Sequence, residues 1–481
     1  TLRGVDPEQR RERLSNLQLV DVVSSPAGAS TITDEDKTFE TGTASLNKGG
    51  SIVERNRVAG ISDYLYEGDI NLTEEQLAVL ESRLSNGTTR QKRQASKVYP
   101  LWANKKVFYY FDASLGEPMK ALVRKTLAYL TARTCLTFVE NATATNRVRV
   151  FRGDGCYSYV GMIGGVQDLS LADGCNTMGI VAHEFMHALG IFHMQSRHDR
   201  DSFITLDLTN VPEASKHNYN KLTAAESVNY TPYEYGSAMH YDAQSFATSG
   251  NSMKSKNARY LRTMGSQMIS FHDISMINFH YKCNALCATK GAACVNGGKR
   301  NPKNCNACIC PAGYGGALCS LRPAGCGAVL TAAATWKSKK VVLGDATNPN
   351  LRDTYALCND WIKAPAGKKV QVQVTVMKGV LCLNGCWTQG IEFKTLAAKA
   401  ITNPRSCCAG QLKQLITSTL NPTPVINYNL YQQEQLAAFE SKLGNGTSRQ
   451  KRQASKVYPI WTNKKVFYYF DASLGTSLGN W

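Results

Sequence analysis

A chain of 481 residues, 43% hydrophobic and 19% charged, is that of a folded protein of two to four domains and not of a disordered tail. No run approaches the roughly eighteen apolar residues of a membrane span, so none is expected. The net charge of +18 comes from scattered Lys and Arg with no RNA- or DNA-binding motif beside them, which argues against nucleic acid as a partner.

Residues 1–93 are polar and free of cysteine. Thr73 and Gln76 have the spacing of a capping box, and Leu77, Leu80 and Leu84 share one face, so a helix is expected over 73–84. The basic run Arg90-Gln91-Lys92-Arg93 then lies between a helix and a strand, a setting that suits cleavage after Arg93 by a secretory convertase. Residues 1–93 therefore read as a propeptide. Thr1 is not an initiator and no signal-peptide core follows it, so the signal segment is expected to be missing from the sequence.

Residues 94–284 mix strands and helices in the manner of an α+β domain. Residues 107–111 and 148–151 read as strands, 119–130 carries apolar residues at helical spacing, and a second helix is expected over 178–189. Sixteen cysteines lie between Cys135 and Cys408, which fits an oxidising, extracellular compartment. Sequons at Asn71, Asn86, Asn141, Asn229 and Asn445 are candidate glycosylation sites in agreement with secretion.

Six cysteines crowd into 285–320, and further apolar alternation fills 326–415. The close cysteine pairs lack two matched C-x-x-C knuckles, so disulfides are favoured there over zinc. The last segment, 416–481, contains a repeat: 432–475 matches 73–116 at 35 of 44 positions, with Arg449 to Arg452 repeating the basic run. It has no histidine motif and reads as the truncated opening of a second unit.

The most informative stretch is His183-Glu184-Phe185-Met186-His187, followed by Gly190 and His193. At 3.6 residues per turn the first two histidines project from one helix face. Gly190 can take positive φ and end the helix, turning the chain back to deliver His193. Three neutral imidazoles suit a tetrahedral zinc with one open position, and Glu184 is the candidate general base. The full pattern would arise by chance roughly once in 10⁵ such chains.

With Arg197, Asp199, Arg200 and Asp201 behind it, this run resembles the astacin family of metzincin endopeptidases. Ser237-Ala238-Met239-His240-Tyr241 is similar to that family's Met-turn. The resemblance implies Met239 as the base beneath the metal and Tyr241 as a zinc ligand that swings away to stabilise the transition state. It implies a two-lobed catalytic domain with one zinc, bridges Cys135–Cys283 and Cys156–Cys175, and a peptide substrate lying antiparallel along an edge near Ser170 and Leu171. Tyr66-Glu67-Gly68-Asp69 resembles the propeptide segment whose aspartate silences the zinc, so Asp69 is the expected zymogen switch. Met194 stands where most astacins have the Glu that meets the mature amino terminus.

Cys308 to Cys319 resembles the end of an EGF-like module, which implies Cys287–Cys305, Cys294–Cys308 and Cys310–Cys319. The stretch 326–415 resembles a CUB β-sandwich with Cys326–Cys358, leaving the pairing of Cys382, Cys386, Cys407 and Cys408 open. Asp199, Arg200 and Asp201 are expected in structural ion pairs, and His217, His240, His272 and His280 are expected to pack or face solvent and not to bind metal. Such an architecture resembles the nematode group of astacins, which implies a secreted endopeptidase acting on extracellular matrix, with cuticle among the candidate substrates. Rival readings are a noncatalytic matrix-binding protein, which would not need Glu184 with all three histidines, and another metzincin, against which Tyr241 argues.

Overall fold

The computed structural model describes residues 6–20, 22, 24, 50–85, 100–224, 227–345, 347–348, 350–431 and 434–444. Helix α1 (Pro7–Ser15) starts where the Asp6 carboxylate accepts the Glu8 and Gln9 amides and Pro7 supplies a fixed φ. It is followed by α2 (Ile52–Val58), strand β1 (Ile70–Asn71) and α3 (Glu74–Ser85). Leu14, Leu17, Tyr66, Ile70, Leu72 and Leu77 pack together with Val160. Of these helices the sequence analysis singles out α3, although Asp6-Pro7 and Ser51-x-x-Glu54 are local start signals for the other two. The docking of α1 on α3 rests on distant contacts, Arg10 to Glu74 at 2.6 Å and Arg13 to Glu81 at 2.7 Å, which leave no local signature.

The next unit contains β2 (Lys106–Phe111), α4 (Glu117–Thr131), β3 (Thr137–Glu140), β4 (Arg147–Phe151), β5 (Cys156–Tyr159), β6 (Val166–Leu171) and α5 (Met178–Ala188). The sheet order is β1-β5-β6-β4-β2-β3, parallel except for the β5–β6 pair. Leu122, Val123, Leu127 and Leu130 of α4 and Ile180, Val181 and Phe185 of α5 bury against Val107, Val148, Val150 and Leu169 of this sheet. Ser170 and Leu171 do not lie on an edge: β6 sits between β5 and β4. Apolar alternation shows which residues face a core but not which strand is outermost. The outer strands of the unit are β3 and β5, and β1 pairs with β5 in parallel, Ile70 opposite Ser158 and Asn71 opposite Tyr159.

A second core, largely of loops, holds Met194, Tyr219, Tyr233, Tyr235, Tyr241 and Tyr260 around the pair β7 (Ile204–Leu206) and β8 (Met253–Ser255). Helix α6 (Phe271–His280) closes the unit with a capping box between Ser270 and Asp273. Cys287–Cys305, Cys294–Cys308 and Cys310–Cys319 tie a small segment containing β9 (Lys299–Asn301) and β10 (Asn304–Ile309). Cys135–Cys283, Cys156–Cys175 and Cys326–Cys358 also form, and the four remaining cysteines pair as Cys382–Cys408 and Cys386–Cys407.

Two sheets make up the last unit. One has β11 (Val329–Thr331), β13 (Leu351–Lys363), β18 (Thr423–Tyr431), β15 (Gln389–Phe393) and β16 (Arg405–Ser406) in that spatial order. The other has β12 (Lys337–Leu343), β19 (Gln435–Gly444), β14 (Lys369–Lys378) and β17 (Ile416–Ser418). Val370, Val372, Val374, Ile391, Phe393, Val425 and Phe439 fill the space between them. The boundary expected at 415 falls inside this sandwich. Strand β19 lies between β12 and β14, so the second sheet has no middle without residues from the repeat.

Candidate metal centre

Helix α5 begins at Thr177, whose hydroxyl accepts the Ile180 amide at 3.3 Å, and it carries His183, Glu184 and His187 into the core. Gly190, at φ +93°, lets the chain reverse and bring His193 to the other two. The Nε2 atoms of His187 and His193 lie 3.0 and 3.2 Å from that of His183.

Each outer ring nitrogen has an acceptor: His183 Nδ1 donates to the Ala238 carbonyl at 2.7 Å, His187 Nδ1 to the Ile191 carbonyl at 2.8 Å and His193 Nδ1 to the Glu67 carboxylate at 2.6 Å. With each Nδ1 proton committed outward, the three Nε2 atoms converge on one place, where a bound cation would take the position of any proton they hold. Asp69 completes the group. Its Oδ2 lies 3.1 Å from His183 and 3.2 Å from His193, its Oδ1 3.5 Å from His187, and one ligand atom from each of the four residues falls within a 4.8 Å spread. This donor set fits zinc.

Glu184 is fully buried, and neither carboxylate oxygen has a hydrogen-bond partner among the described residues. Burial pushes its carboxyl well above the usual range, and the charge of Asp69 adds to the shift. Burial also pushes His187 down to about 4, against the pull of Asp69. At His193 burial again opposes the charged form, but Asp69 and Glu67 outweigh it and hold the imidazole up at about 9.

The turn beneath the site is built by α6. Asp273 accepts the Ser237 hydroxyl at 2.5 Å and the Ala238 amide at 3.0 Å, while the Met194 amide donates to the Met239 carbonyl at 2.7 Å. Tyr241 lies against His193 with ring centroids 4.7 Å apart, and its hydroxyl donates to the Glu67 carbonyl. Sequence reading assigns Asp273 and Glu67 no role. The Ser270-x-x-Asp273 capping pattern is a visible sign of the first, whereas the meeting of Glu67 with His193 is purely tertiary.

Asp199 pairs with Arg197 at 2.8 Å and Asp201 with Arg200 at 3.1 Å. His217, His240, His272 and His280 are buried and do not join the metal group. Asn71 is a poor glycan acceptor in this state, being 1% exposed with its carboxamide against Arg10. Asn141 is partly exposed, and Asn229 donates to His198 at 3.1 Å. Arg93, Asn86 and Asn445 lie outside the described residues.

Fold and site together define a zincin-like catalytic unit of mixed α/β structure. The sequence matches the model of the Astacin peptidase family over residues 94–282. It is 41% identical over 436 residues to zinc metalloproteinase nas-32 of Caenorhabditis elegans, an alignment covering 89% of this chain and 66% of that relative. It is 40% identical to zinc metalloproteinase nas-17 of the same organism, covering 77% of this chain and 84% of that one. A solved hatching-enzyme zinc protease from Oryzias latipes, high choriolytic enzyme 1, is 31% identical with a TM-score of 0.36, covering 38% of this chain and 94% of that one. The chain belongs to the astacin family, whose peptidases use zinc. It spans just under two thirds of the length of nas-32.

Proposed function

We propose that the protein is a secreted zinc-dependent endopeptidase made as a zymogen, in which Asp69 occupies the position that water and substrate need. The observation that carries this reading is the buried group of three histidines and Asp69, beside the unpaired carboxylate of Glu184. Zinc held by His183, His187 and His193 would supply Lewis acidity to the scissile carbonyl and to water. Glu184 then takes the water proton and passes it to the leaving amine. Tyr241, released from the Glu67 carbonyl when the leader departs, donates to the developing oxyanion. The leader runs parallel to β5, so a substrate antiparallel to that strand would have the opposite polarity. The segment 285–320 is read as an EGF-like module and the sandwich as a CUB-like one, with matrix or cuticle proteins as substrates. Eight disulfides among the described residues support an extracellular setting. No helix among those residues is long and apolar enough to cross a membrane.

The test is a pair of variants. Glu184→Ala, activated by cleavage after Arg93, is expected to keep one zinc per chain and lose at least about a hundredfold in turnover. Asp69→Ala in a chain with Arg93 blocked should cleave a small peptide while the blocked parent stays silent. Normal turnover by zinc-loaded Glu184→Ala sinks the mechanism, and equal silence of both blocked proteins sinks Asp69 as the switch.

A further inference from the structure

Beside His183 lies a pocket bounded by Ile180 of α5, by Tyr241 and Asp242 after the Met239 turn, and by Gly265, Ser266 and Gln267. Ser51, Ile52 and Val53 of the leader line its remaining side, and the space enclosed is about 30 Å³. The wall formed by 265–267 belongs to a loop with little backbone pairing of its own, so its position depends on what it leans against. On the inner side, the Thr177 hydroxyl donates to the Gln267 carboxamide at 3.1 Å, and Gly179 leaves room for the Gln267 carbonyl that a β-carbon would take.

On the outer side the braces come from the sandwich. The Arg405 amide donates to the Thr263 hydroxyl at 3.0 Å and its guanidinium to the Ser266 hydroxyl at 2.6 Å. Arg405 is buried and lies 3.4 Å from Glu392, which fixes its head group. Arg262 donates to the side-chain oxygen of Asn384 at 2.8 Å. Next to it Gly385, at φ +79°, touches the Gly265 carbonyl so closely that a β-carbon would overlap it, and Cys386–Cys407 ties this segment to the chain just after Arg405. Tyr260 donates to the Thr402 carbonyl at 3.0 Å, while Glu234, five residues before Met239, accepts the Thr402 amide at 3.1 Å.

We propose that the sandwich sets the specificity of the peptidase site, with Arg405 and Gly385 as positioning residues that fix the 265–267 wall of the pocket receiving the substrate side chain next to the scissile bond. The proposal rests on the peptidase reading. The expected ligand is an aliphatic side chain within an extended polypeptide, a small one that suits the apolar lining by Ile180, Ile52 and Val53. A buried guanidinium bonded to a wall hydroxyl resists sideways motion of the wall, so loosening it widens the pocket without touching His183, Glu184 or Tyr241.

The activated full chain is compared with Ser266→Ala, Arg405→Lys and Gly385→Ala, using peptides varied one position at a time across the cut. For the preferred aliphatic residue KM should rise at least about fivefold with kcat within about twofold, and selectivity should flatten at that position alone. Acetohydroxamate, which reaches only the metal, should bind all four proteins equally, while a hydroxamate carrying an isobutyl group should lose affinity in the variants. Arg405→Lys, which keeps one donor, should be the mildest. An unchanged profile in folded Ser266→Ala, or a uniform fall in kcat at every position, overturns the proposal. If the parent cleaves nothing, the peptidase reading fails, and the two hydroxamate affinities still decide the bracing.

Discussion

Helix α3 and strand β19 have nearly the same sequence: over 76–85 and 435–444, six of ten aligned residues are identical, including Leu77 with Leu436 and Glu81 with Glu440. One copy is a helix, the other the middle strand of a sheet. In the first, Thr73 and Gln76 cap each other, with the Thr73 amide donating to the Gln76 side chain at 2.7 Å and the Gln76 amide to the Thr73 hydroxyl at 3.2 Å. Arg10 and Arg13 then hold Glu74 and Glu81. In the second, the aligned residues at the start are Gln432 and Gln433, and Leu80 is replaced by Phe439. A ladder forms on both sides, Lys339 and Val374 both opposite Phe439. Helix propensity is a preference of a few tenths of a kcal/mol per residue, and cap, ion pairs and strand partners together exceed it.

The comparison breaks most visibly at Phe439, which is fully buried and meets Phe393 edge-on with centroids 5.9 Å apart. Phe439→Ala should destabilise the sandwich by about 3–5 kcal/mol, read as faster hydrogen exchange in β12, β14 and β19. Leu80→Ala, at the aligned but half-buried helix position, should cost clearly less. Equal losses would mean that β19 is not packed as a middle strand. The leucines reverse the order: Leu77 is fully buried and Leu436 only half so. Leu77→Ala should cost the segment 50–85 about 2–5 kcal/mol, measured as increased proteolysis of that segment in an Arg93-blocked chain, and Leu436→Ala less.

What can be read in the sequence follows the same line. The histidine group is legible because metal ligation demands fixed spacing on a helix, and α3 because its capping box is local. Strand β19 is not, since the partners that define it, Lys337–Leu343 and Lys369–Lys378, are remote in the chain. For the same reason nothing local reveals that Ser170 and Leu171 sit inside their sheet, or that the sandwich continues past 415 into β17, β18 and β19. The contact between Arg405 and Ser266 likewise depends on two units meeting and leaves no trace in either segment.

The smallest expected effect isolates the cap. Thr73→Ala removes the hydroxyl that satisfies the Gln76 amide, and such losses cost about 1 kcal/mol, within a range of roughly 0.5–2. The Gln76 side chain could still accept the amide of residue 73, so half of the reciprocal box survives and the loss should lie at the lower end. The measurement is hydrogen exchange of the first-turn amides of α3 in the Arg93-blocked chain, where about 0.5 kcal/mol gives roughly a twofold rise in exchange. Arg13→Ala provides the comparison, because it removes the pairing with Glu74 and Glu81 while leaving the cap intact. If Thr73→Ala changes nothing and Arg13→Ala frays the turn, then the ion pairs from α1, not the cap, hold the first copy helical, and a cap engineered at Gln432 would not draw the second copy out of its sheet.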